Sequence, residues 1–277
     1  MLMNFTFFLP PEKEAEDIVA FLDAKCAEIN ALSADIQSEI DTLEAYKRSV
    51  ITEAVTKGLD KNVPMKDSGI EWIGTIPETW EIGRVKDYYQ LQTGFTPSTE
   101  IAEYYDDENG YDWVSIADMN DRSRYIVSTK AKISQKYIDI KHPSCSPKGS
   151  LLYSFKLSVG KVAFLDNDMY TNEAVASFLP CSYGLLGFLY YSSMFIEENA
   201  NINIYGAKIL NQDLIKNAYV PFPPIADQKK IVVFLDKKCA EIDFIIAQKQ
   251  EQLAVLADYK KSVIYEYVTG KKEVPVT

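Results

Sequence analysis

Histidine is almost missing from this chain: 277 residues contain one, His142. A histidine-based triad would have to rest on that one residue, and a multi-histidine metal site is nearly excluded. The four cysteines (Cys26, Cys145, Cys181, Cys239) show no CxxC spacing; Cys26 and Cys239, at matching points of a repeated apolar stripe, read as small buried hydrophobes rather than ligands, and a reducing cytoplasm is the simplest compartment. There is no GxGxxG and no GxxxxGK[ST]; Gly160-Lys161-Val162 lacks both the earlier glycine and the following hydroxyl of a phosphate loop. The Pro10-Pro11 and Pro223-Pro224 pairs lack the preceding Asn or Asp of an adenine-methyltransferase loop. No apolar run is long enough to span a bilayer, and MLMNFTFFLPP is too short and lacks the basic start of a signal peptide. Positive charge is also scarce. Lys and Arg number 29 against 40 Asp and Glu, a net charge of -11, which argues against an autonomous nucleic-acid binder. Asp106-Asp107-Glu108 reads as a solvated loop, and no carboxylate spacing marks a pair. No active site, metal or cofactor is expected from these residues.

What is present is present twice. IVAFLDAKCAEI (Ile18 to Ile29) and YKRSVITEAVT (Tyr46 to Thr56) return as IVVFLDKKCAEI (Ile231 to Ile242) and YKKSVIYEYVT (Tyr259 to Thr269), with no gap in the alignment. Each copy follows a Pro-Pro pair and loses its pattern near a glycine, as a helix does at its two ends. Leu22, Ile29, Ile36, Leu43 and Val50 recur every seven residues, with Ile18, Phe21, Cys26, Leu32, Ile40 and Tyr46 beside them. The second copy keeps Leu235, Ile242, Leu256 and Val263 but puts Lys249 on the stripe, with Ile245, Ile246 and Leu253 compensating. A helix of this length, ~65 Å, cannot bury its stripe alone. The nearest partner is the other copy, and a compact domain between them makes the pair antiparallel. Leu22, Ile29, Leu43, Leu235, Ile242 and Leu256 are the expected packing and docking positions. A plain dimerisation coil is the blander reading.

Between Lys66 and Gln212 the periodicity shortens. Strand-like runs appear at Thr79 to Leu91, Asp112 to Asp118, Ser150 to Phe155, Gly160 to Leu165 and Tyr170 to Leu179, and one helical run at Gly184 to Asn201. The fold class predicted is α+β: a strand-rich domain plus two long helices in an antiparallel coiled coil. Polar loops stand out in the domain: QTGFTPSTE (Gln92 to Glu100), SFKLSVGK (Ser154 to Lys161), TNEA (Thr171 to Ala174) and GAKILNQ (Gly206 to Gln212). Hydroxyls, amides and lysines on loops suit phosphate positioning and base-edge reading, or ordinary turns.

Taken in order, these segments resemble the specificity subunits of Type I restriction-modification systems. The resemblance is carried by DSGIEWIGTIPETWEIGRVKD (Asp67 to Asp87), TGFTPSTE, YDWVSIADMN (Tyr111 to Asn120), SFKLSVGKVAF (Ser154 to Phe164) and NQDLIKNAYVPFPPIADQKKIVVFLD (Asn211 to Asp236). It implies a non-catalytic subunit with no cofactor. That subunit reads a half-site of double-stranded DNA through a target-recognition domain and docks methyltransferase (modification) subunits through its helices. Methylation and ATP-dependent cleavage then belong to the modification subunits and to a restriction motor/nuclease subunit. The residues expected to touch DNA are Thr96, Ser98, Lys156, Lys161 and Lys208. The domain's bases, Arg122 and Arg124 among them, are fewer than its acids. Weak binding by the isolated chain is therefore expected, with partners supplying phosphate contacts.

The family's usual order is domain, helix, domain, helix. This chain reads as residues 1–9, a remnant of a preceding recognition domain; 10–60, the first helix; 61–222, the recognition domain; and 223–277, the second helix. Two readings stay open. One is a half-subunit forming a homodimer on a symmetric split sequence, and the other a silent truncated cassette. A coiled-coil adaptor that never touches DNA is the rival. No membrane contact is expected, and the cytoplasm is the expected compartment.

Overall fold

The computed structural model describes residues 10–106, 108–119, 123–156, 158–181, 184–202 and 208–275. It divides into two compact units at Ser49/Val50 and Leu235/Asp236. Residues 1–9, read from sequence as a domain remnant, lie outside the described residues, as do Asp107 and Arg122.

The first helix, α1, runs Glu12–Lys57, with Glu12 and Glu14 in its first turn and Lys57 in its last. That placement complements the helix dipole at both ends.

The strand-rich unit then unfolds in chain order. A hairpin, β1 (Met65–Asp67) with β2 (Thr75–Pro77), comes first. β3 (Glu81–Arg84) runs into a one-turn helix, α2 (Val85–Tyr88), and then β4 (Leu91–Thr93). The sequence reads this stretch as one strand-like run. Asp87 breaks it by accepting the Arg84 N–H at 3.2 Å, a local capping contact that favours a helical turn. Next come β5 (Tyr111–Val114), β6 (Tyr125–Ile126), β7 (Lys132–Ile133) and α3 (Gln135–Lys141). β8 (Leu151–Ser154), β9 (Val162–Leu165), β10 (Tyr170–Thr171) and β11 (Val175–Phe178) follow. The predicted helix over 184–201 is α4 (Leu186–Ser192) continued as a 3₁₀ segment, Ser193–Asn199. The Ser192 and Ser193 hydroxyls donate back to the Phe188 and Tyr190 carbonyls at 3.1 and 2.9 Å, the kind of bond that tightens a helix. β12 (Asn201–Ile202), β13 (Lys208–Ile209), α5 (Gln212–Asn217) and β14 (Tyr219–Phe222) complete the unit.

A five-stranded sheet in the order β4-β11-β8-β9-β6 is its centre, antiparallel except for β9 with β6. β8 and β11 are buried at every residue, as central strands should be. One core joins Val114, Met119, Ile126, Leu152, Leu165, Met169 and Val175. A second, aromatic core joins Trp113, Ile133 and Tyr137, with Phe95, Tyr104 and Tyr170 packed on it, beside the sheet β10-β5-β7.

The last helix, α6, runs Ile225–Val268. In the helical unit it lies antiparallel to α1. Phe21 meets Tyr267, Asn30 meets Lys260, Glu39 meets Lys249 and Lys47 meets Asp243, so numbers fall on α6 as they rise on α1. Ile36, Ile40, Ile242 and Ile246 form the seam, with Leu43, Leu253 and Leu256 packed on it. Lys249, which interrupts the stripe, reaches out of the seam to the Glu39 carboxylate. Leu32 and Tyr46, placed beside the stripe by sequence, are exposed. A two-helix seam covers little more than two positions per heptad, and these fall outside it.

Candidate nucleic-acid interface

Four loops that stand apart in sequence meet at one end of the five-stranded sheet. The TGF loop follows β4, and its Phe95 N–H donates to the Thr171 carbonyl at 2.9 Å. Trp113 Nε1 donates to the Phe95 carbonyl at 2.9 Å, and the Phe95 ring stacks on Tyr137 at 5.2 Å, which seats the loop on the aromatic core. From Thr171 the chain enters the TNEA turn. There the Asn172 N–H donates to the Val114 carbonyl at 2.9 Å, and Asn172 Oδ1 accepts the Ala174 N–H at 2.8 Å. The Ala174 carbonyl accepts the Phe155 N–H at 3.0 Å, which brings in the turn between β8 and β9. That turn is joined to the segment after β5, because Lys161 Nζ donates to the Met119 carbonyl at 3.1 Å.

Two glycines make these approaches possible. A Cβ on Gly94 would stand 1.8 Å from the Thr171 carbonyl oxygen, so only glycine lets the TGF loop touch β10. Gly160 has φ +92°, and a Cβ there would stand 1.9 Å from Glu197 Oε1. The turn around it is tied inward: Gly160 N–H to the Ser154 carbonyl at 3.0 Å, and Lys161 N–H to Ser154 Oγ at 3.0 Å.

The five candidate contact residues fall on this end in different states. Thr96 and Ser98 are exposed on either side of buried Pro97. Lys156 is exposed, its ammonium 5.9 Å from the Phe155 ring centre. Lys161 is half-buried, with its ammonium engaged at Met119, so it braces the loop. Lys208, on β13, lies 3.3 Å from the Glu197 carboxylate and 4.0 Å from that of Glu198. The GAKILNQ loop is described only from Lys208 onward. Of the packing positions, Leu22, Ile29, Leu235 and Ile242 are buried, while Leu43 and Leu256 are partly buried.

Most cations of the strand-rich unit already have internal partners. Arg84 pairs with Asp87, Lys136 with Glu103 and Lys148 with Asp166, while Lys66 donates to the Glu78 carbonyl. The Arg124 guanidinium lies 4.4 Å from the Tyr190 ring centre and 5.3 Å from that of Phe164, so it stacks in an aromatic cage. Among the described residues no cluster of His, Cys, Asp and Glu could hold a metal ion, and no helix is long and apolar enough to cross a membrane.

Sequence reasoning missed three residues. Gln228 is fully buried near the start of α6, accepting the Leu185 N–H at 2.9 Å and donating to the Pro223 carbonyl at 2.8 Å. Glu197 packs on Gly160 and holds Lys208. Tyr153 is fully buried, and its hydroxyl has no hydrogen-bond partner among the described residues. Burial first, and the Glu197 charge second, push its phenol well above the usual tyrosine range. The Pro-Pro pair ending four residues before Gln228 was the one available signal; the other two sit in runs that read as ordinary helix and strand.

The model of the Type I restriction modification DNA specificity domain matches residues 77–254. The MjaIX specificity subunit of Methanocaldococcus jannaschii is 26% identical over 191 residues, covering 66% of this chain and 42% of the relative. The EcoBI specificity subunit of Escherichia coli is 25% identical over 280 residues, covering 95% of this chain and 57% of the relative. This chain thus spans about half the length of the curated relatives it matches. Among solved structures, a chain from a study of complex assembly and conformational transition of the type I R-M system superposes with a TM-score of 0.71 at 17% identity. That match covers 94% of this chain and 60% of the other. The HsdS subunit of Thermoanaerobacter tengcongensis gives a TM-score of 0.56 at 18% identity, covering 95% of this chain and 60% of the other.

Proposed function

Because the chain belongs to the family of the Type I restriction modification DNA specificity domain, we propose that it reads DNA sequence for a restriction-modification complex. The strand-rich unit is the reader and takes one half-site. The observation that carries this is the convergence of the TGF, TNEA, β8–β9 and post-β5 loops at one sheet end. Exposed Thr96, Ser98 and Lys156 sit on loops whose bases are fixed by backbone bonds. That is the arrangement base-edge reading needs: exposed tips on a rigid seat.

The recognition domain spans residues 61–222 in this reading, flanked by helix segments 10–60 and 223–277. Modification subunits dock on the helix pair, through faces turned away from the seam. On α1 these faces are lined by exposed Ala20, Ala24, Ala27, Ala31 and Ala34, and on α6 exposed Phe244 and Val255 stand out. Small side chains let a third helix approach closely. Methyl transfer falls to those subunits, and cleavage to a motor/nuclease subunit.

The internal pairing of its cations limits what the chain does alone. Most phosphate contacts would first have to break an existing partner, so isolated binding is weak and partner subunits supply much of the electrostatic attraction. Photocrosslinking from position 98 inside the assembled complex tests the reading. DNA adducts are expected. A complex that assembles, binds DNA and gives adducts only on partner subunits would leave this chain as an adaptor.

A further inference from the structure

We propose that Glu197 is an internal stand-in for a DNA phosphate: it holds Lys208 in reserve and releases it only when DNA seats on the loop end of the sheet. The proposal rests on the reading of this face as the DNA interface. Three observations carry it. The Glu197 carboxylate packs against Gly160, in the space that a side chain there would take. Lys208 lies 3.3 Å from Glu197 and 4.0 Å from Glu198, so its charge is cancelled in the free chain. Fully buried Tyr153 carries a hydroxyl with no partner among the described residues.

Together these make a two-position carboxylate. In one position Glu197 binds Lys208. In the other, a phosphate takes Lys208 and the carboxylate turns to the waiting Tyr153 hydroxyl. An exposed ion pair is weak, and the gain from satisfying the buried hydroxyl is offset by the cost of desolvating the carboxylate that reaches it, so the exchange is close to balanced and an arriving phosphate can tip it. The consequence is selectivity. A duplex that fails to seat leaves Lys208 neutralised and gains nothing from it, which lowers non-specific binding without touching a base.

The test uses the full chain assembled with its modification subunits and a fluorescent 30-base-pair duplex of random sequence, titrated across a salt series. Glu197→Gln keeps the shape and removes the charge. It is expected to tighten non-specific binding by about 3–10-fold and to steepen the log-affinity against log-salt slope by about 0.9, the value of one added phosphate contact. In a Lys208→Ala background the same change is expected to do nothing. Tyr153→Phe, which removes only the hydroxyl, is expected to weaken binding while Glu197 is present and to have no effect once it is Gln. Unchanged slope and affinity in Glu197→Gln would overturn the proposal. So would a gain that persists without Lys208. If no form binds any duplex although the complex assembles, the reading of this face as a DNA interface fails, and the proposal with it.

Discussion

At Gly94 the chain comes so close to β10 that the Thr171 carbonyl occupies the space of a side chain. Gly94→Ala should therefore cost about 2–3 kcal/mol through overpacking, read as a lower urea midpoint at unchanged slope. Cys145 is exposed, but partial burial and then the Asp168 charge push its thiol up. Its alkylation rate should consequently reach half-maximum at a higher pH than that of a free thiol, measured by mass-resolved labelling. Asp87 and Glu103 are shifted the other way: hydrogen bonds from Arg84 and Lys136 respectively hold them below the usual carboxylate range. Such groups add stability above the unfolded carboxylate pKa and lose it as pH falls through the lowered folded value. Unfolding followed at stepwise lower pH should show that loss. Replacing both carboxylates with amides should flatten it. At this scale the sequence was partly legible. Loop position and residue type marked Thr96, Ser98 and Lys156 as exposed, but the engagement of Lys161 at Met119 and of Lys208 at Glu197 depends on partners 42 and 11 residues away in the chain.

The helix pair has an internal symmetry that follows from its repeat. A helix lying antiparallel to its own copy has a local two-fold axis, here near Ser38 and Glu251, which are equivalent positions of the repeat. The polar contacts obey it: Lys47 with Asp243, and Lys260 with Asn30, are the same pair seen twice. Lys249 with Glu39 is not, because the position equivalent to Lys249 is Ile36, buried in the seam. Lys249→Leu should extend that seam and raise the melting temperature, since a partly exposed ion pair contributes little and Glu39 stays solvated. Ile40→Ala, in the same cluster, should lower stability by about 2–4 kcal/mol. The helices were readable because their signal repeats over many turns. The strands were harder. Runs of two to four residues sit beside capping contacts such as Asp87 on Arg84, and those contacts, not periodicity, set where strand gives way to turn.

Across the whole molecule the division of chemistry is uneven. The strand-rich unit carries the polar loops and engages most of its described cations with carboxylates, carbonyls or aromatic rings, and the helical unit presents long exposed faces. For an acidic protein of net charge -11, the proposed DNA reading requires a larger assembly, in which sequence would be read here and charge supplied elsewhere. The order of motifs along the chain made the family legible. The target sequence stayed illegible, because it depends on which loop side chains face base edges. The most direct test is a genome-wide map of methylated bases in cells that make this chain and its modification subunits with no other specificity subunit. The account predicts methylation confined to one recurrent sequence, part of which changes when loop residues 95–100 are exchanged for those of a relative. A complex that assembles and methylates with a pattern indifferent to that exchange, or that methylates nothing, would contradict it.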